Sequence, residues 1–188
     1  MITGHLGVAG AAGSASRERI SSVLFVALLL ASLTPDIVDA LYWAVGFCSP
    51  YGLYSHTVHA VVLEAAIVGG IAFLATGSRS VALIFAIVVL MHAPADFFTG
   101  RKLVIPGGEM FGLRWYDWPL RDWLLEVPTA VTGWWILRRS GRAPRWATSV
   151  WAVAVAVLLQ TTFDVLARPG GSGLKPNACP VVPPPLSP

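Results

Sequence analysis

Long apolar runs alternate with short polar breaks along this chain. Residues 20–46 form the first run, interrupted by Thr34-Pro35-Asp36-Ile37-Val38-Asp39. Residues 57–76 form the second and end at Gly77-Ser78-Arg79; residues 80–98 form the third. Residues 100–119 are polar, with interspersed glycines and aromatics, and predict a loop. Residues 120–137, opened by Arg121, Asp122 and Glu126, and residues 146–167 complete the set. Each run meets or approaches the ~20 residues that cross ~30 Å of hydrocarbon. Backbone groups in lipid must bond within their own segment, so each run is predicted to be a helix. The stretch 2–16 would be about 22 Å long as a helix, which is short for a span. Its Gly4, Gly7, Gly10 and Gly13 recur every three residues and suit close helix contact. The predicted fold is all-α: a polytopic transmembrane bundle of about five full spans plus a short N-terminal helix. Residues 1–167 make the transmembrane domain. Residues 168–188, rich in proline and glycine, predict a disordered tail.

Composition agrees with that pattern. Hydrophobic residues make up 55% of the 188 and charged residues 12%, and mean hydropathy is +0.67. Soluble domains carry about a quarter charged residues. The net charge of +3 comes from Lys and Arg in short breaks between runs, with no basic patch interleaved with aromatics, so nucleic-acid binding is set aside. Cys48 and Cys179 are far apart and form no CxxC motif, and no disulfide is expected. The N-terminus lacks the basic segment of a signal peptide. Arg138, Arg139, Arg142 and Arg145 mark their face as cytoplasmic. The expected location is therefore the inner (plasma) membrane, multi-pass.

Following the runs across the bilayer changes the picture. Arg17, Arg19, Arg79 and the Arg138–Arg145 group fall on one face. On the other, extracytoplasmic side fall His5, Asp36, Asp39, His56, His59, His92 and Asp96. These include all four histidines, which chance placement would scatter. A buried Asp costs roughly 2.5–3.5 kcal/mol on insertion scales and needs a partner. The spacings are local pairs: Asp36 with Asp39 at i,i+3, His56 with His59 at i,i+3, His92 with Asp96 at i,i+4. Imidazoles and carboxylates on facing helices are how bundles hold metals. The donors suit zinc first, with manganese or iron as alternatives. Single histidines often serve only structure, Asp36 after Pro35 could mark a helix start, and His–Asp pairs also relay protons. Convergence of seven such residues favours a divalent metal.

The ordered motifs resemble a family of bacterial integral-membrane proteins, the predicted membrane-bound metal-dependent hydrolases. "GHL" carries His5, "LTPDIVDA" Asp36 and Asp39, "YSHTVHA" His56, and "HAPADFFTG" His92, Asp96 and Thr99. "LVIPGGEMFGLRWYDW" resembles the family's Pro-Gly-Gly loop, and Glu126 falls where members often carry a glutamate. The resemblance covers about residues 3–130. It departs at Thr57-Val58, where members often have Ser-Leu. His59 is an addition, and Gly100 stands where some members have histidine.

The resemblance implies a hydrolase whose metal acidifies a bound water towards pKa ~7 for attack on an ester. In that reading His5, Asp36, His56, His92 and Asp96 hold the ion, with Asp39 and His59 ligating or supporting. Thr99 and Glu126 take catalytic roles. Arg101, Lys102 and Arg114 hold an anion such as a phosphate. A site at the membrane edge suggests a lipid or lipid-linked substrate, as an ester or phosphoester. The alternative is a non-enzymatic ion or proton transporter, or a metal-binding subunit of a membrane complex. Transporter sites tend to sit near the midplane between repeats, and no repeat is present here.

Overall fold

The computed structural model describes residues 2–17, 19–47, 54–105 and 108–166. Cys48, Cys179 and the 168–188 tail lie outside the described residues. The chain is all-α apart from one small hairpin. The order is α1 (Ile2–Ser14), α2 (Ser22–Ser32), α3 (Thr34–Ala44), α4 (Val58–Thr76), α5 (Arg79–Leu90), α6 (His92–Thr99), β1 (Lys102–Leu103), β2 (Met110–Phe111), α7 (Pro119–Ser140) and α8 (Val150–Leu166).

Proline sets the two breaks that matter. Pro35 has no N–H to continue a helix, and its ring opposes the carbonyl four residues back, that of Ala31. The Thr34 hydroxyl donates to that carbonyl instead, at 2.9 Å. The 20–46 run is thus not one straight span: α2 and α3 meet at 69°. Pro94 opposes the Leu90 carbonyl in the same way and separates α5 from α6. That break is mild, and Arg79–Thr99 counts as one apolar stretch of 21 residues.

By length and composition two helices can cross a membrane, Val58–Thr76 and Arg79–Thr99, or three if the bent α2–α3 pair is one span. This is fewer than the five predicted. The physical reason is local. α7 is 22 residues long, but Arg121, Asp122 and Glu126 at one end and Arg138 and Arg139 at the other shorten its apolar middle. α8 has only 17 residues. Large side chains on α4, α5 and α8, among them Leu63, Leu74, Leu83, Trp151 and Leu158, are exposed, the surface expected of helices solvated by lipid.

The glycine stripe of α1 does what its spacing predicts. Gly7 and Gly133 bring the backbones of α1 and α7 into contact: a Cβ on Gly133 would collide with the Gly7 carbonyl. Gly10 packs beside the same crossing, and Gly13 lies against Leu28, Ile20 and Leu137. α1 is therefore an inner helix, and its buried Ala9 joins Leu28, Ala31, Val61, Ala65, Phe85, Val88 and Val89 in the main core.

The two ends differ in chemistry as the layering required. At the basic end, Arg142 donates to the carbonyls of Ser14 and Ser16 at 3.0 and 2.6 Å. Arg138 and Arg139 lie over the rings of Trp134 and Trp135. The other end is closed by the hairpin, in which Lys102 pairs with Phe111 and Leu103 with Met110. Val58 N donates to Val104 O at 3.0 Å, and Leu113 N to Phe97 O at 2.8 Å, tying the hairpin to α4 and α6. At Gly112, with φ of 136°, a Cβ would collide with the Gly100 carbonyl. Glycine at 112 therefore lets the returning strand pass over the end of α6.

Candidate metal centre

Four donor atoms from three segments, α3, the turn before α4, and α6, converge beneath the hairpin. His92 Nε2 lies 3.3 Å from His56 Nε2 and 3.4 Å from Asp96 Oδ2. His56 Nε2 lies 3.3 Å from both Asp96 Oδ2 and Asp36 Oδ1. His92 Nε2 lies 3.7 Å from Asp36 Oδ1. A tetrahedron with metal–ligand bonds of about 2.0–2.1 Å has edges of about 3.3–3.4 Å. The five separations, 3.3–3.7 Å, lie at or slightly above that edge length, and Asp36, His56 and His92 together could hold a metal ion. Direct pairing of two imidazole Nε2 atoms at this distance needs a proton or a cation between them.

Local structure aims each nitrogen. The carbonyl of Ser32, at the α2–α3 bend, faces His92 Nδ1 at 3.0 Å. A carbonyl only accepts, so Nδ1 carries the hydrogen and Nε2 presents its lone pair to the centre. Pro35 thus contributes to the site through the bend it causes. For His56 the support is a carboxylate and a hydroxyl. Ser55 Oγ donates to Asp39 Oδ1 at 2.5 Å. His56 Nδ1 lies 2.6 Å from Ser55 Oγ and 3.4 Å from Asp39 Oδ2. Asp39 and Ser55 fix the ring, again leaving Nε2 free. His56 and His92 are buried, as is Asp96, while the side chain of Asp36 is 38% exposed. Asp36 is thus the corner open to the outside.

His5 stands beside this set. Its ring stacks on His92 with centroids 3.8 Å apart and planes 11° apart. Donor atoms of His5, His92 and Asp96 fall within 4.8 Å of one another, but stacking opposes a shared ion. Imidazole lone pairs lie in the ring plane, and an ion in the plane of His92 is about 3.5 Å out of the plane of His5. His5 Nε2 instead faces Asp96 Oδ1, the oxygen pointing away from the other donors, at 3.4 Å. His5 therefore orients the Asp96 carboxylate.

The other expected residues divide clearly. His59 is exposed on the first turn of α4 and is not in the cluster. The i,i+3 spacing misleads there because α4 begins at Val58, so His56 lies in the preceding turn and the helical rule does not reach it. Thr99 is fully buried on α6, three residues from Asp96, and its hydroxyl makes no hydrogen bond. Glu126 is fully buried, but its Oε2 is taken by Thr3 Oγ1 at 2.9 Å and Gly4 N at 3.0 Å. It secures the first turn of α1, one residue before His5, and is not at the four-donor centre. Of the three loop cations only Lys102 reaches the centre, with Nζ 3.8 Å from Asp96 Oδ2. Arg101 is exposed and donates to Met110 O; Arg114 is exposed and pairs with Asp117 at 2.8 Å.

Three participants escaped the sequence reading. Ser55 directly precedes His56, and a hydroxyl beside a ligating imidazole was the available signal. Glu64 lies two turns into α4, half-buried and within electrostatic reach of His56, Asp39 and Asp36. A lone carboxylate inside a span was its signal. Ser32 acts through its backbone, which no side-chain pattern reveals. Around the centre, Asp36, Asp39 and Asp96 face one close cation, Lys102, among the described residues. That negative excess is what a dication would balance.

No family model, curated protein or solved structure matches this chain. The likeness to membrane-bound metal-dependent hydrolases rests on its motifs alone.

Proposed function

We propose that the protein is a multi-pass inner-membrane, metal-dependent hydrolase acting on an ester or phosphoester of a lipid or lipid-linked substrate. The observation that carries this reading is the convergence of Asp36 Oδ1 and Asp96 Oδ2 on the paired His56 Nε2 and His92 Nε2, with five separations of 3.3–3.7 Å. These four would hold the ion, zinc first and manganese or iron next. When bound, such an ion supplies an acidified water and polarises an ester oxygen. The protein's own part is orientation. Asp39 and Ser55 fix His56, the Ser32 carbonyl fixes His92, and His5 fixes Asp96. Thr99 is within one turn of Asp96 and suits a substrate contact.

The surroundings favour a lipid. α3 carries Asp36 and Asp39 on the side facing His56 and exposes Ile37, Leu41 and Trp43 elsewhere. Tyr42, Phe47 and Tyr54 cluster nearby, with ring centroids 5.4–5.9 Å apart. Such aromatic clusters suit the membrane interface. In this reading α7 and α8 also cross, giving five spans, with the arginine end cytoplasmic and the metal centre extracytoplasmic. The competing reading, an ion carrier or a metal-binding subunit without catalysis, is favoured by one feature. Four protein donors converge, the number that closed structural sites use. The exposure of Asp36 weighs against it, because that corner can yield to a substrate.

The deciding experiment is elemental analysis of protein purified in detergent without chelator or nickel resin, followed by hydrolysis assays on lipid phosphoesters. The expectation is close to one equivalent of a transition metal. Less than about a tenth of an equivalent, with no thermal stabilisation by added zinc or manganese, overturns the metal reading. Bound metal without turnover favours the carrier or subunit.

A further inference from the structure

We infer that Lys102 is the residue that recognises a phosphate-class anion at the Asp96 edge of the centre, making the substrate a phosphoester and not a neutral carboxylic ester. The inference rests on the metal reading above. Its observations are separate from it.

Lys102 opens β1 of the hairpin that closes this end of the bundle. Its Nζ lies 3.8 Å from Asp96 Oδ2, one of the four donor atoms. The side chain is 28% exposed while that of Asp96 is 5% exposed, so the ammonium spans the boundary between centre and exterior. Asp36 is the most exposed of the four donors. The hairpin holds this placement by backbone bonds to both helices beneath it, Val58 N to Val104 O and Leu113 N to Phe97 O. The arginines flanking it are engaged elsewhere, Arg101 with Met110 O and Arg114 with Asp117. One cation of the loop is therefore directed to the centre.

The three carboxylates offset a dication and the ammonium together, so what Lys102 supplies is position: an anion at this edge can turn one oxygen toward the ion and another toward Nζ. A phosphoester keeps a negative charge on the phosphorus-bound oxygens adjacent to the scissile bond, and a carboxylic ester has none. Lysine serves such phosphates as a mobile point charge. The same anion chemistry is offered by a lipid headgroup and by free phosphate.

The test uses the full chain in detergent micelles, loaded with Co²⁺ as a visible probe. Inorganic phosphate, and separately phosphatidic acid in mixed micelles, is titrated against wild type, Lys102→Gln and Lys102→Arg, with cobalt content measured for each. The expected result is a phosphate-induced change in the cobalt absorption of wild type, retained in Lys102→Arg. In Lys102→Gln the affinity should fall at least about tenfold at unchanged cobalt stoichiometry. Tighter binding of phosphatidic acid than of phosphate, with the same Lys102 dependence, identifies the lipid headgroup as the source. Equal binding identifies the free anion. Phosphate affinity in Lys102→Gln within about twofold of wild type, or a wild-type cobalt spectrum that ignores phosphate, overturns the inference while the metal reading stands. Failure of wild type to take up cobalt, zinc or manganese overturns both.

Discussion

Two buried polar clusters lie at the same end of this bundle, on either side of α1, and they are built on different principles. One is the His56–His92–Asp36–Asp96 set described above. The other joins α1, α7 and α8. Thr3 Oγ1 contacts Glu126 Oε2 and Gln160 Oε1, both at 2.9 Å, and Gln160 Nε2 donates to Asp122 Oδ2 at 3.1 Å and Asp164 Oδ1 at 3.0 Å. In the second cluster amide and hydroxyl hydrogens are directed at carboxylate oxygens, and Gly4 N adds another. The cluster fastens three helices, although Asp122 Oδ1 and Asp164 Oδ2 within it accept no hydrogen bond. In the first cluster two imidazole lone pairs and two carboxylate oxygens face a common point, and the hydrogens have been turned outward to Ser32, Ser55 and Asp39. Burial of ionisable groups is common to both. What separates a candidate metal centre from a structural network is the direction in which the lone pairs point.

The sharpest way to break that comparison is to remove a group from each side. His92→Ala or Asp96→Ala should abolish metal binding and lower stability by about 3–5 kcal/mol, since uncompensated charge remains buried. Metal analysis and thermal melts in detergent check it. Wild-type metal content and melting temperature in His92→Ala would make His92 a purely structural histidine held by Ser32.

Glu126→Ala comes next. It strands the Gly4 N–H and leaves the Thr3 hydroxyl with Gln160 Oε1 alone, and should lower stability by about 1–3 kcal/mol. Unlike His92→Ala it should still gain thermal stability when zinc is added, because the four donors are intact. A Glu126→Ala protein that folds but takes up no metal would show that the two clusters are one site.

Asp39→Asn sharpens the first cluster internally. Asparagine keeps the shape and loses the charge behind His56. Metal affinity should fall about 10–100-fold with little change in the metal-free melting temperature, readable by competition with a chromogenic chelator. The smallest effect belongs to His59→Gln. The residue is exposed, so stability should stay within about 0.5 kcal/mol and metal content should not change. A loss of metal in this variant would return His59 to the centre.

Much of this was legible in the sequence because helices are periodic. The i,i+3 pair Asp36–Asp39 and the i,i+4 pair His92–Asp96 each share a face, and counting runs across the bilayer placed them in one layer with His5 and His56. The glycine period of α1 announced its close packing. The apolar runs located the helical segments, but 20–46 and 80–98, each expected as one helix, are broken near Pro35 and Pro94. Periodicity speaks about one helix at a time. It does not say which faces meet, so only the tertiary structure separated His56 from His59, which share a spacing but not a helix. Only it set His5 beside the donor set, through a stack on His92. Only it chose Lys102 over Arg101 and Arg114, because a hairpin tied to α4 and α6 decides which cation reaches Asp96. Glu126 carried a signal of buried charge, and its partners, Thr3 and Gly4, lie more than 120 residues away along the chain. Residue type and local period are properties of short segments. The direction of a lone pair depends on contacts between segments, and these form only when the helices pack.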